Sequence, residues 1–182
     1  MSLIETEIPG LFIFEPKVFG DERGYFFESY NENVFKQSGI DIRWVQDNQA
    51  FSGKGVLRGL HYQSAPYTQA KLVRVIQGKV LDVVVDIRKG STTYGQTFTC
   101  ILSAENKRQL LVPRGFAHGY VVLSETAEFF YKCDNFYSKK HEGGIRPDCP
   151  ILNIDWQYDV SKAIIAERDA NFPKFGNHLD WE

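Results

Sequence analysis

The stretch KLVRVIQGKVLDVVVDIR, Lys71 to Arg88, decides the architecture of this chain. Two valine-rich runs meet at Gln77-Gly78-Lys79, a tight-turn signature. Side chains alternate along a strand. In the second run Leu81, Val83, Val85 and Ile87 therefore share one face, and Val80, Asp82, Val84 and Asp86 the other. Two carboxylates on one face of an apolar strand are either solvated or aimed into a polar lumen, and the run alone leaves both readings open.

Similar runs recur on both sides. Gly10–Pro16, Tyr25–Tyr30, Arg43–Ala50, Val56–Gln63, Lys71–Gln77, Lys79–Arg88, Gln96–Leu102, Gln109–Val112, Ala117–Leu123 and Ala127–Cys133 read as strands, separated by turn residues. Helical pattern is confined to Asn31–Gln37 and Ser161–Arg168. Short strands with almost no helix between them exclude βαβ architecture and predict an all-β sandwich or barrel. No linker, repeat or low-complexity run interrupts the chain, so residues 1–182 are expected to form a single domain.

A domain of 182 residues buries roughly 70% of its unfolded surface, room enough for a core and an internal pocket. Hydrophobic content of 43% and charged content of 24% are ordinary for a globular protein and argue against disorder or coiled coil. The net charge of −2 offers no global field for nucleic acid or an anionic membrane, so neither is expected as a partner. Anion recognition must come from placed arginines such as Arg23, Arg58 and Arg168, whose guanidinium forks suit phosphate oxygens. The aromatic share of 14%, with 14 Phe and 9 Tyr, suits strands around a cavity. Cys100, Cys133 and Cys149 form neither a zinc pattern nor a disulfide framework, and Cys133 reads as a small buried thiol. The acidic N-terminus has no signal-peptide pattern and no apolar run is long enough to span a bilayer, so the expected location is cytoplasmic.

Chemistry gathers in a few segments. Arg58-Gly59-Leu60-His61-Tyr62-Gln63 carries a histidine that can take a proton near neutral pH. Lys71 can hold a developing oxyanion, and Tyr131, in an apolar strand, can donate a proton. Pro113-Arg114-Gly115-Phe116-Ala117-His118 has the PxGxxH spacing of the second cupin motif. The paired histidine of metal-binding cupins is missing, because Gln63 stands where it would be. His61 and His118 alone fall short of a transition-metal ligand set, so no metal is expected. Dinucleotide and P-loop motifs are also missing, so no cofactor is expected. A base, an acid and an oxyanion holder suit proton abstraction α to a carbonyl.

Together the segments resemble the dTDP-4-dehydrorhamnose 3,5-epimerases. Asp21-Glu22-Arg23-Gly24-Tyr25-Phe26-Phe27-Glu28, Gln46-Asp47-Asn48, Arg58 to Gln63, Lys71 to Val75, Pro113 to Gly119, the Tyr131 strand and Arg168-Asp169 follow in the family's order, from about residue 3 to about 170. The resemblance implies a cupin-type double-stranded β-helix, or jelly-roll barrel, with short peripheral helices. It implies epimerisation of dTDP-4-dehydro-6-deoxy-D-glucose at C3 and C5 to dTDP-4-dehydro-L-rhamnose, for dTDP-L-rhamnose biosynthesis. His61 corresponds to the base with Asp169 as its partner, Tyr131 to the proton donor, and Lys71 to the residue near the C4 oxygen. Arg23, Glu28, Gln46, Asp47, Asn48, Arg58, His118, Glu142 and Arg168 correspond to substrate contacts, and Tyr137 to the aromatic that stacks on thymine. The family is dimeric with exchanged N-terminal strands, so a homodimer is implied and some contacts come from the partner chain. With these roles in place, the register of Asp82 points it into the lumen, in a buried network near His61.

The chain departs from the family at Ile165-Ala166-Glu167-Arg168-Asp169, where Leu-Ser-x-Lys-Asp is usual, and at Pro147, where Trp is usual. Rival readings are an epimerase acting at one carbon of a related dTDP-4-keto-deoxysugar, a metal-dependent cupin and a non-enzymatic sugar-binding cupin.

Overall fold

The structure, a computed structural model, describes residues 2–182. Its strands are β1 (Ser2–Glu5), β2 (Phe12–Glu15), β3 (Phe19–Asp21), β4 (Gly24–Phe26), β5 (Gln46–Gly53), β6 (Val56–Gln63) and β7 (Lys71–Gln77). They continue with β8 (Lys79–Asp86), β9 (Thr97–Ser103), β10 (Gln109–Val112), β11 (Phe116–Val122), β12 (Thr126–Cys133), β13 (Glu142–Gly144) and β14 (Ile164–Ile165). The α-helices among the described residues are α1 (Glu32–Gln37) and α2 (Glu167–Ala170).

One sheet runs β1-β2-β10-β7-β12-β5 and the other β13-β6-β11-β8-β9, with β14 added to β6. Among the described residues only β14 pairs in parallel; β3 and β4 form a separate hairpin. The sheets face one another. Val73, Val75, Leu110 and Phe129 from the first pack against Val80, Val84, Leu102 and Val122 from the second in a shared inner core. The alternation of β8 is thus resolved: Val80, Asp82 and Val84 point inward, while Leu81, Val83 and Val85 pack on the back of their sheet under Ile145, Leu152 and Trp156. On the other back face α1 lies over Phe14, Leu72 and Leu111. The α1 start is set by Asn31, whose side chain accepts from the Asn33 and Val34 amides. Phe35 then stacks on Phe14 at 4.1 Å between ring centres.

Strands Val56–Gln63, Lys71–Gln77 and Gln109–Val112 match the sequence expectation at both ends. Arg43–Ala50 is shifted, with strand only from Gln46, and Tyr25–Tyr30 is strand no further than Phe26. The expected helix Ser161–Arg168 is not formed. A 3₁₀ turn at Val160–Lys162 gives way to β14, then to α2. Ile164 and Ile165 pair with Val56 and Leu57; two adjacent β-branched residues favour an extended backbone and lose side-chain freedom in a helix. No helix among the described residues is long and apolar enough to cross a membrane.

Candidate active site

Strand β6 supplies the centre of the site from the second sheet, and β7, β12 and β5 face it from the first. Two adjoining cavities, of about 220 Å³ and 230 Å³, share His61, Lys71, Tyr131 and Glu142. Gln46, Asn48, Gln63, Gln69 and Tyr137 line the first; Arg58, His118, Tyr120, Phe129 and Arg168 line the second.

His61 and Asp169 lie 108 positions apart in the chain, yet His61 Nε2 is 2.8 Å from Asp169 Oδ1. The Gly59 amide donates to Asp169 Oδ2 at 3.1 Å. Burial favours the protonated acid, but the His61 hydrogen bond and charge, the Gly59 amide and Arg168 outweigh it, and the Asp169 carboxyl is held below its usual value. A carboxylate only accepts, so His61 Nε2 carries the ring proton and Nδ1 keeps the lone pair.

A second histidine–carboxylate pair stands beside the first. His118 on β11 is the cross-strand partner of His61, and its Nε2 lies 2.9 Å from both oxygens of Asp82. Asp82 therefore enters the lumen as expected, but it bonds His118 rather than His61. The two strands approach closely here. A Cβ on Gly59 would lie 2.5 Å from the Gly119 Cα, and Gly59 also has φ of 124°, so no side chain is accommodated at that crossing.

Burial pushes the Asp82 carboxyl above its ordinary value, against the opposing pull of His118 and Lys71. As pH rises, the unfolded chain releases this proton first. Stability is then lost between the unfolded and folded values and stays lower above them. Asp82→Asn removes that loss while keeping a hydrogen-bonding partner for His118. The variant's thermal midpoint is expected to exceed the parent's at pH 7 and to converge with it at acid pH, as measured by calorimetry across pH. A lower midpoint at pH 7 would show that the His118 pair outweighs the cost of burial.

Lys71, at the start of β7, has its ammonium shifted below the usual value by burial, opposed by Cys133, Asp82 and Glu142. Its Nζ lies 5.9 Å from the Tyr131 ring centre. Burial pushes the Tyr131 hydroxyl up to about 12. His61 and Tyr131 thus stand on opposite sheets across the same cavities. Cys133 is buried, as the sequence reading expected, and accepts from Asn48 Nδ2 at 3.6 Å.

At the mouth, Gln46 Oε1 accepts from the Tyr137 amide at 3.2 Å, and Gln63 Oε1 accepts from the Ser138 amide at 2.9 Å. The Tyr137 hydroxyl donates to Glu142 at 3.2 Å. Arg58 donates through Nε and Nη2 to Ser52 Oγ, both at 3.2 Å. Of the expected substrate contacts, Arg23, Glu28 and Asp47 line neither cavity. Asp47 alternates with Gln46 and Asn48 along β5, so it points to the outer face, where Lys132 reaches it at 3.0 Å. Arg23 lies at the tip of the β3–β4 hairpin with its side chain 83% exposed. Glu28 accepts from Asn31 near the surface. Gln63, Gln69 and Tyr120 were not anticipated as lining residues. Gln63 was legible, since it shares the face of His61 two residues earlier.

Two facing sheets whose lumen holds His–carboxylate pairs, a half-buried lysine and a half-buried tyrosine define a cupin-like protein equipped for proton transfer. The chain belongs to the dTDP-4-dehydrorhamnose 3,5-epimerase family, whose model matches residues 5–177. A relative of that description from Shigella flexneri is 56% identical over 96% of both chains. The crystal structure of a dTDP-4-dehydrorhamnose 3,5-epimerase from Elizabethkingia anophelis NUHP1 superposes with a TM-score of 0.93, at 50% identity and 97% coverage of both chains. A Legionella pneumophila dTDP-6-deoxy-D-glucose-3,5-epimerase, solved in complex with dTDP-4-keto-L-rhamnose, also gives 0.93, at 48% identity over 97% of this chain and 93% of that one. A 3′-monoepimerase from Streptomyces bikiniensis in complex with dTDP-quinovose is 33% identical with a TM-score of 0.89, over 94% of this chain and 86% of that one.

Proposed function

We propose that the protein epimerises dTDP-4-dehydro-6-deoxy-D-glucose at C3 and C5, giving dTDP-4-dehydro-L-rhamnose. The observation that carries this reading is the pair of proton-transfer groups, His61–Asp169 and Tyr131, on facing walls of one cavity that Lys71 also lines, beside Tyr131. In the 4-keto sugar the hydrogens on C3 and C5 are both α to one carbonyl, and in the gluco ring both project axially from the same face. A single base on one wall therefore serves both carbons.

In each half-reaction a C–H bond breaks. Its proton passes to His61 Nδ1 and its electron pair to the C4 oxygen, forming an enolate beside the Lys71 ammonium. Asp169 holds the ring and stabilises the imidazolium. The Tyr131 hydroxyl then gives its proton to the same carbon from the opposite face, which inverts the centre. Solvent afterwards returns a proton to Tyr131 and removes one from His61. Acid and base contribute roughly 10²–10⁴ each.

The nucleotide end is assigned to Gln46, Asn48 and Glu142 as polar contacts, with the exposed ring of Tyr137 as the stacking surface for thymine. Arg58 is assigned to the diphosphate and His118 to the sugar. The working form is a homodimer. Phe19, Tyr25 and Phe26 on the β3–β4 hairpin are 54%, 63% and 71% exposed, an apolar arm suited to a second copy. Across that contact Arg23 and Glu28 would serve the neighbouring site.

Incubating the nucleotide sugar with the protein in D₂O and following it by NMR tests the reading. Deuterium at both C3 and C5, with L-configured product, is expected. Label and inversion at one carbon would assign a mono-epimerase instead, as the Streptomyces bikiniensis relative is described; exchange at neither carbon sinks both.

A further inference from the structure

We infer that Arg168 is a positioning residue: its guanidinium bridges the Tyr137–Glu142 pair at the cavity mouth and the His61–Asp169 pair that takes the substrate proton. The inference rests on the epimerase reading and gives Arg168 a different task from phosphate binding.

Each nitrogen of Arg168 faces a protein group. Nη1 donates to both oxygens of Glu142, at 2.9 and 2.7 Å. Nε donates to Asp169 Oδ1 at 3.1 Å; Nη2 lies 3.2 Å from His61 Nε2, whose own proton goes to Asp169, so that approach is a packing contact and not a hydrogen bond. The guanidinium sits 5.8 Å from the Phe172 ring centre, and that ring in turn meets His61 edge-on at 5.8 Å. A phosphate clamp would turn its fork outward; this one is closed around carboxylates of its own chain.

The arrangement fixes the base. Asp169 Oδ1 receives both His61 Nε2 and Arg168 Nε, while Oδ2 receives the Gly59 amide. Both carboxylate oxygens are thereby held, and the imidazole they orient is held with them. Glu142 also accepts from the Tyr137 hydroxyl, so a continuous path runs from the mouth to the base. The planar, five-donor guanidinium can hold Glu142 and Asp169 at once. A lysine ammonium at the same place keeps the charge but not the fork.

Arg168→Met, which keeps the stem and removes every donor to the two carboxylates, Glu142→Gln and the double variant, assayed by steady-state turnover alongside deuterium exchange, test this. Arg168→Met is expected to lower kcat by about tenfold to a hundredfold, the scale of a misoriented reacting group, with KM held within about threefold. Glu142→Gln should lower kcat in the same sense. The double variant should be no worse than the more damaging single one, because both changes break one bridge. A KM rise exceeding the kcat loss would make Arg168 a phosphate contact and overturn the inference, as would unchanged kcat or additive losses. Failure of the parent protein to exchange deuterium refutes the epimerase reading itself, and this inference falls with it.

Discussion

His61→Asn is expected to lower kcat by roughly 10²–10⁴, the contribution of a positioned base, while dTDP binds as before. Asparagine can still donate to Asp169 Oδ1, so the carboxylate is not left buried and unpaired, a condition that would otherwise destabilise the site. What is lost is the basic Nδ1. The nucleotide contacts assigned to Gln46, Asn48 and Tyr137 hydrogen-bond one another and not His61, so they stay in place. Titration calorimetry with dTDP, paired with deuterium exchange at C3 and C5, checks both halves. Equal exchange in variant and parent would remove His61 from the chemistry; loss of dTDP affinity in step with kcat would make it a binding residue.

Tyr131→Phe is expected to separate exchange from inversion. His61 remains able to remove a proton, trade it with solvent and return deuterium to the same face. Recovered substrate should therefore carry label with its original configuration, while product formation falls by roughly 10²–10³. The parent hydroxyl, pushed up to about 12 by burial, stays protonated through neutral and mildly alkaline pH. No basic limb from Tyr131 is therefore expected in the parent's rate profile up to about pH 10. Full inversion by the Phe variant would mean that another group, or a water, protonates the second face.

The strands that bear the chemistry were the most legible part of the fold. Val56–Gln63 and Lys71–Gln77 are apolar runs closed by turn residues, and local pattern suffices to bound them. The segment after Ser161 was misread because its helix formers are local, whereas the pairing of Ile164 and Ile165 with β6 is tertiary. Strands β3 and β13 escaped, and β4 was caught only at Tyr25 and Phe26, because three residues carry no periodicity. Within the site, residue types were readable but partners were not. Asp169 reaches His61 from 108 positions away, and only likeness to a family linked them. Asp82 was placed on the correct face by alternation, yet which histidine it meets depends on strand order, with β11 standing between β6 and β8. Asp47 shows the reverse: alternation along β5 could have assigned it to the outer face beside Lys132.

The tight crossing at Gly59 and Gly119 bears on how this protein can change over generations. The spacing of the two histidines is set by backbone against backbone, with no side chain between to be trimmed or enlarged. Drift in substrate preference therefore has few routes through β6 and β11 at that level. Variation is channelled instead to the rim, at the loop bearing Tyr137 and at the β3–β4 arm, where exposed residues can be exchanged without moving the groups that handle protons.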